Sequence, residues 1–349
     1  MLLCAAACFF CGCAGGRASS GTVLTRTGFF FNTIVEVTIF DKRADAALLD
    51  GCMELCNRYE ALLSAHVEGS DIDRINRAQG EEVAVDRETA ELLSCALSFT
   101  EETQGAFDVT IGAVSAMWNF TGDPPGPVPE ADEIAQALTH VGAGGCIVRF
   151  GDGQEAGARD AGTQAQAEGA SAGGGCSVQL ADPAMQLDPG AVAKGYIADR
   201  LKEYLVEHGV QSALINLGGN VLAIGGKEDG GAFNVGIRDP FGGVADYAAV
   251  AAVTDKSVVT SGNYERFFEE DGVRYHHILD ARTGYPSDRG VAGVTVITDT
   301  SLAGDILSTV LFLTGPEEGL ALAELLPDTE ALFITTEGEI LMTENFPLR

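Results

Sequence analysis

The sequence predicts an α+β fold with mixed β-sheets flanked by helices, built as a single composite unit. Three observations predict it. Short stretches alternate apolar and polar residues, other stretches repeat at helical spacing, and Gly-rich corners sit where the two textures meet. No heptad array or longer internal repeat divides the 349 residues.

The elements follow in chain order. Thr33 to Phe40 alternates Val35, Val37 and Ile39 with Glu36 and Thr38, a strand pattern. Leu48, Cys52, Cys56, Tyr59 and Leu63 then share one helical face, and Leu92, Ala96 and Phe99 mark a second helix ending near Gly105. Four prolines between Gly122 and Pro129 predict a rigid loop. Gly151 to Cys176 holds eight Gly and seven Ala but no Leu, Ile, Val, Phe, Tyr, Trp or Met. It cannot bury a face, so it reads as a solvated insertion (151–176) between strands around Val148 and Val178. From Leu187 onward, β-rich runs (Ala213 to Asn216, Ala248 to Val253, Val291 to Thr298) alternate with helical ones (Ala191 to His208, Ser301 to Phe312, Glu317 to Leu326).

Composition narrows the function classes. With 21 Lys+Arg against 51 Asp+Glu the formal charge is −30, and no basic run interrupts it. Such a surface repels phosphate backbones, which argues against nucleic-acid binding. Residues 1–20 read as a secretory or lipoprotein-like segment ahead of a folded domain spanning 21–349. Met1 to Gly16 is apolar but too short to cross a bilayer. Gly12 before Cys13 resembles a lipoprotein cleavage site, although no basic stretch precedes it and Phe10 stands where Leu is usual, so a lipid anchor and a plain signal both fit. The remaining cysteines, Cys52, Cys56, Cys95, Cys146 and Cys176, are odd in number and form no CxxC pair, as expected of core thiols.

Three segments could carry chemistry. On a helix, Asp305 and Thr309 are four residues apart and share a face, with Ser308 beside them, an oxygen set suited to Mg²⁺ or Ca²⁺. Spacing alone favours the plainer reading, a helix with Asp near its first turn and hydroxyls on a solvated side. The turn Asp188-Pro-Gly-Ala191 runs into a helix with Lys194 one turn in, which suits a phosphate, yet it is neither a Walker loop nor a Rossmann fingerprint. His276 and His277 are adjacent on a strand and so point to opposite faces, one toward the interior and one available as a proton acceptor. His66, His140 and His208 show no partner at metal spacing. The sequence contains no GxSxG, HExxH or EF-hand loop, which removes support for serine hydrolase and zinc protease readings.

Six blocks occur in one order: Gly105-Ala-Phe-Asp-Val-Thr110, Leu187-Asp-Pro-Gly-Ala-Val-Ala-Lys-Gly-Tyr196, Leu214-Ile-Asn-Leu-Gly-Gly-Asn220, Val259-Thr-Ser-Gly-Asn-Tyr-Glu-Arg266, His276-His-Ile-Leu-Asp-Ala-Arg-Thr-Gly-Tyr-Pro286 and Ala303-Gly-Asp-Ile-Leu-Ser-Thr309. Together they resemble the ApbE family of FAD:protein FMN transferases. The resemblance implies an ApbE-like fold and an extracytoplasmic, often lipid-anchored enzyme. It implies that FAD and Mg²⁺ are used to place FMN on a Thr or Ser hydroxyl of an acceptor flavoprotein, with release of AMP. Acceptors of the family carry a DxxTGAT-like motif and include subunits of Rnf-type and sodium-pumping (Nqr-type) redox complexes. By the same resemblance Asp305 and Thr309 hold Mg²⁺, with Ser308 near and the Ala191 carbonyl contributing. Asn32, Ala106, Phe107, Asp108, Asp188, Lys194 and Leu279 contact FAD, and His277 is the base for the acceptor hydroxyl. The chain departs from the family pattern at Asn32, at Ser64-Ala-His66, at Pro189, at Ala281 and at Gly304. Two alternatives keep the flavin site: hydrolysis of FAD to FMN and AMP, and a non-enzymatic FAD-binding lipoprotein.

Overall fold

The computed structural model describes residues 23–349 apart from 43, 121, 152–154, 157–174 and 244. The signal or lipoprotein-like segment and most of the Gly/Ala insertion therefore lie outside the described residues. Eight strands form the main sheet in the order Leu24–Phe30, Thr33–Ile39, Ala213–Leu217, Asn220–Ile224, Ser257–Gly262, Val291–Thr298, Glu330–Thr335 and Ile340–Met342. Its two faces are covered differently. Val35, Val37 and Ile39 join Cys52, Cys56, Ile197 and Leu201 of the helices Ala47–Leu63 and Ala193–Glu207 in the largest apolar cluster. Val258, Ile297 and Leu332 meet Phe233, Val235 and Val253 of a separate hairpin on the opposite face. Val291–Thr298 is consequently buried along its whole length.

The α+β class is as expected, but the sheets are not mixed. Every ladder between strands is antiparallel among the described residues, and the one parallel pairing is the isolated bridge of Ile111 with Gln186. The connections explain this. A single crossover helix would have made neighbours parallel, whereas two helices, Ser301–Thr314 and Pro316–Ala323, intervene between Val291–Thr298 and Glu330–Thr335, so the chain returns antiparallel.

The first helix also turns slightly from the expected face, burying Leu49 rather than Leu48 alongside Cys52, Cys56, Tyr59 and Leu63. Steps of three and four residues from Leu49 keep the stripe straight. Cys52, Cys56 and Cys146 are core thiols, pushed up to about 12 by burial. The insertion falls between strands, as its composition requires: Cys146–Arg149 pairs with Cys176–Leu180 in register.

Two helices position the site. Ser301–Thr314 buries Ile306, Val310, Leu311, Phe312 and Leu313, each side chain contributing roughly 1.5–3 kcal/mol on full burial. That apolar stripe anchors the helix while it carries Asp305 and Ser308 inside. Ala193–Glu207 crosses it at Gly195, where a Cβ would lie 2.4 Å from the Ser301 carbonyl oxygen and 2.7 Å from Leu302 Cα. Only glycine allows two backbones to approach so closely.

Candidate active site

The crossing at Gly195 brings the predicted metal residues to the phosphate-suited turn. Asp305 is 4% exposed, and its Oδ2 accepts the Gly195 amide at 2.6 Å. Its Oδ1 accepts from Asn220 Nδ2 at 3.3 Å and lies 3.8 Å from Lys194 Nζ. Burial pushes the Asp305 carboxyl upward, and Lys194, the Gly195 amide and Asn220 oppose that shift by favouring the anion.

Gly195 is the third residue of its helix, so its amide has no carbonyl partner within the helix and goes to Asp305 instead, and the helical ladder begins with Tyr196 N to Val192 O at 3.1 Å. Among the described residues no hydrogen bond reaches the Ala191 carbonyl. An unpartnered carbonyl thus stands on the turn that carries Gly195 and Lys194.

The hydroxyls are compatible with the same use. Ser308 Oγ donates to the Asp305 carbonyl at 3.0 Å and shares a hydrogen bond of 2.9 Å with Ser261 Oγ. Thr309 Oγ1 donates to the Asp305 carbonyl at 3.3 Å, leaving its lone pairs available as donors to a cation. Ser308 is fully buried and Thr309 half-buried, so Thr309 is the more accessible ligand. Among the described residues no three His, Cys, Asp or Glu side chains gather at metal distance. One carboxylate, hydroxyls and a carbonyl instead make a hard-oxygen set that fits Mg²⁺, which commonly takes one or two carboxylates and completes its shell with phosphate and water.

The neighbouring turn is fixed by Asp188. Its Oδ2 accepts from Ser115 Oγ at 2.7 Å, its Oδ1 from the Gly190 amide at 2.9 Å, and its own amide donates to the Val109 carbonyl at 2.8 Å. That last bond joins the Gly105 block to the Leu187 block. Within the Gly105 block, Ala106 is half-buried, Phe107 packs into the core, and Asp108 accepts from the Thr110 amide and hydroxyl at 2.8 and 2.7 Å. The side chains of Phe107 and Asp108 are thus committed inward. Lys194 Nζ reaches the Gly190 carbonyl at 3.4 Å as well as Asp305.

Asn32 is exposed at the tip of the first hairpin, where Phe31 and Asn32 both take positive φ. That turn lies against the Gly218-Gly219 turn, since a Cβ on Gly218 would fall 1.9 Å from Thr33 Oγ1. Leu279 is buried beside Trp118, Val114 and Phe268 in a separate apolar cluster.

The two histidines separate as alternation requires. His276 is buried, packs edge-on to Phe312 with ring centroids 5.4 Å apart, and accepts the Ile278 amide at Nδ1, so its Nε2 donates to the Ser287 carbonyl at 3.1 Å. Burial pushes it down to about 4. His277 is half-buried, and its Nδ1 lies 3.3 Å from the Arg266 carbonyl. A carbonyl only accepts, so Nδ1 carries the proton and Nε2 presents a lone pair. Burial first, then the charges of Arg266, His276 and Lys194, push His277 down to about 3. The Lys194 charge acts on both residues, favouring the anion of Asp305 and the neutral ring of His277.

Reading the sequence assigned no role to Asn220, Ser301 or Asp199. Asp199 accepts the Ser301 and Leu302 amides at 2.8 and 2.9 Å, capping the second site helix from the first, and burial pushes its carboxyl up to about 6. No local motif announces that contact. His140, which has no partner at metal spacing in the sequence, bonds Asp182 through Nδ1 at 2.6 Å, 42 residues along the chain.

The sequence model of the ApbE family matches residues 31–333. The chain belongs to the ApbE family. The FAD:protein FMN transferase of Treponema pallidum is 39% identical over 347 residues, covering 95% of this chain and 90% of its own. A protein of the same name from Klebsiella pneumoniae is 38% identical over 306 residues, 87% of each chain. Relatives so named are enzymes, and membership makes this ApbE-family chain an enzyme. The crystal structure of the ApbE protein of Thermotoga maritima superposes with a TM-score of 0.79 at 30% identity, covering 93% of this chain and 98% of that one. The apo flavinyl transferase ApbE of Pseudomonas stutzeri gives 0.74 at 29% identity, covering 93% and 95%. The ApbE fold expected from the six blocks is therefore the fold observed.

Proposed function

We propose that the protein is a Mg²⁺-dependent FAD:protein FMN transferase that places FMN on a Thr or Ser hydroxyl of an acceptor flavoprotein and releases AMP. The observation that carries this reading is the helix crossing. Asp305 is held against the first turn of Ala193–Glu207, and the Ala191 carbonyl on the turn leading into that helix has no hydrogen-bond partner among the described residues. The names of the relatives supply the substrate and the acceptor class.

Asp305, Thr309 and the Ala191 carbonyl would hold the cation, with Ser308 behind them. When bound, Mg²⁺ would neutralise charge developing on the diphosphate as it is cleaved. Lys194 brings a second positive charge to the same turn. Asp188 keeps that turn closed through Gly190 and Ser115, holding the backbone in place for a phosphate. His277 Nε2 would accept the proton of the acceptor hydroxyl, which is a weak nucleophile until deprotonated. By family analogy Asn32, Ala106, Phe107, Asp108, Asp188, Lys194 and Leu279 contribute the remaining flavin contacts; Phe107 and Asp108 can do so only through their backbone.

The acceptor is proposed to carry a DxxTGAT-like motif, as in Rnf- and Nqr-type subunits, and the protein to act outside the cytoplasm with a lipid on Cys13. No helix among the described residues is long and apolar enough to cross a membrane. The test is incubation with FAD, Mg²⁺ and a DxxTGAT-bearing domain, followed by in-gel fluorescence and AMP measurement. A fluorescent acceptor with stoichiometric AMP is expected. FMN and AMP beside a dark acceptor would replace transfer with hydrolysis, and unchanged FAD would overturn both.

A further inference from the structure

Asn220 and Ser301 lie behind Asp305, and both are completely buried. Ser301 Oγ donates to Asn220 Oδ1 at 2.6 Å, and Asn220 Nδ2 donates to Asp305 Oδ1 at 3.3 Å. We propose that Asn220 is a positioning residue for the cation-binding carboxylate, with its amide braced from behind by Ser301. This role rests on the proposed cation site.

The physical basis is the donor and acceptor inventory. An amide can present either end to Asp305, and the oxygen end would set two acceptors against each other. The carboxylate only accepts, so it turns Nδ2 toward itself, and the Ser301 hydroxyl, which can donate, then holds the amide in place from Oδ1. Ser301 is itself held by its backbone amide on Asp199 Oδ1 at 2.8 Å. Asn220 is fixed from the other side, since it follows the Gly218-Gly219 turn, where both residues take positive φ, and pairs with Val259 in the main sheet. Asp305 thus has a donor on each oxygen, Gly195 on Oδ2 and Asn220 on Oδ1. Two donors from different elements stop rotation of the carboxylate, so the lone pairs left over keep one direction. Buried groups of this kind orient metal ligands, and their loss typically weakens metal affinity by about 10- to 100-fold.

The test uses the full chain with Mn²⁺ as the probe and ADP as a non-reacting diphosphate, with free Mn²⁺ followed by electron paramagnetic resonance. Asn220→Ala is expected to weaken Mn²⁺ binding by about 10- to 100-fold, and to raise the Mg²⁺ concentration needed for half-maximal transfer while kcat at saturating Mg²⁺ is largely kept. Ser301→Ala should move the same way by less, and it keeps the question answerable if Asn220→Ala does not fold. The double variant should bind no more weakly than Asn220→Ala, because Ser301 acts through Asn220. Wild-type Mn²⁺ affinity in both single variants, with binding lost in Asp305→Ala, would overturn the role of Asn220 and leave the cation site standing. Additive losses in the double variant would overturn the relay. Unchanged binding in Asp305→Ala would overturn the cation site itself.

Discussion

The helix crossing at Asp305 and the chain end of the hairpin at His277 hold their chemistry in opposite ways. At the crossing, both carboxylate oxygens have fixed donors, and two backbones touch through a glycine. At His277 a half-buried ring has one polar contact, to the Arg266 carbonyl. The first arrangement fixes a charge in space, as the proposed cation site demands; the second leaves one nitrogen available, as the proposed proton acceptor demands. Damage at the crossing should therefore spread to metal binding and folding, whereas damage at His277 should stay confined to rate.

Asp305→Ala should have the largest effect, abolishing Mg²⁺-supported turnover, because it removes the only carboxylate of the ligand set. Retained turnover would break the contrast at its strong end. His277→Ala should slow transfer by about 10²- to 10⁴-fold with FAD affinity kept. A ring pushed down to about 3 is already neutral above pH 4, so the loss should be the same factor from pH 5 to pH 8. A factor that shrinks below pH 6.5 would show that His277 takes up its proton in the ordinary imidazole range.

Two glycine substitutions sharpen the comparison within the crossing. Gly195→Ala drives a Cβ into the backbone of Ser301 and Leu302, so the helices must part, at a cost of about 1–3 kcal/mol read by urea unfolding, together with weaker Mn²⁺ binding. Gly304→Ala should have the smallest effect. Its Cβ would come nearest to side chains rather than backbone, Val259 Cγ2 at 2.7 Å and Thr298 Oγ1 at 2.9 Å, and alanine recovers about 1 kcal/mol of helix propensity that offsets the crowding. Net stability should change by less than about 1 kcal/mol. Equal losses in the two variants would show that contact with backbone is not what distinguishes them.

Much of this was legible in the sequence. The strand Val291–Thr298 was bounded by its apolar run, and the Gly/Ala insertion was placed between strands by its inability to bury a face. Helical spacing placed Asp305 and Thr309 on one helix, and alternation anticipated that His276 would be buried and His277, just past the strand end, less so. Less accessible were the sheet directions, because the run of two helices after Thr298 leaves the pairing partner unstated. Asn220 stood at the end of a quoted block with no role, since its partners are 81 and 85 residues away.

By itself, then, the sequence determined periodicity, the corners and the kinds of donor available, because these depend on neighbours within a turn or two. Only the tertiary structure decided that the Gly195 amide, free at the start of its helix, bonds a carboxylate 110 residues later, and that Ser301 braces Asn220 behind it. A hydrogen bond depends on distance and direction to within a fraction of an ångström. Contacts between residues this far apart in the chain acquire that precision only after the helices have packed.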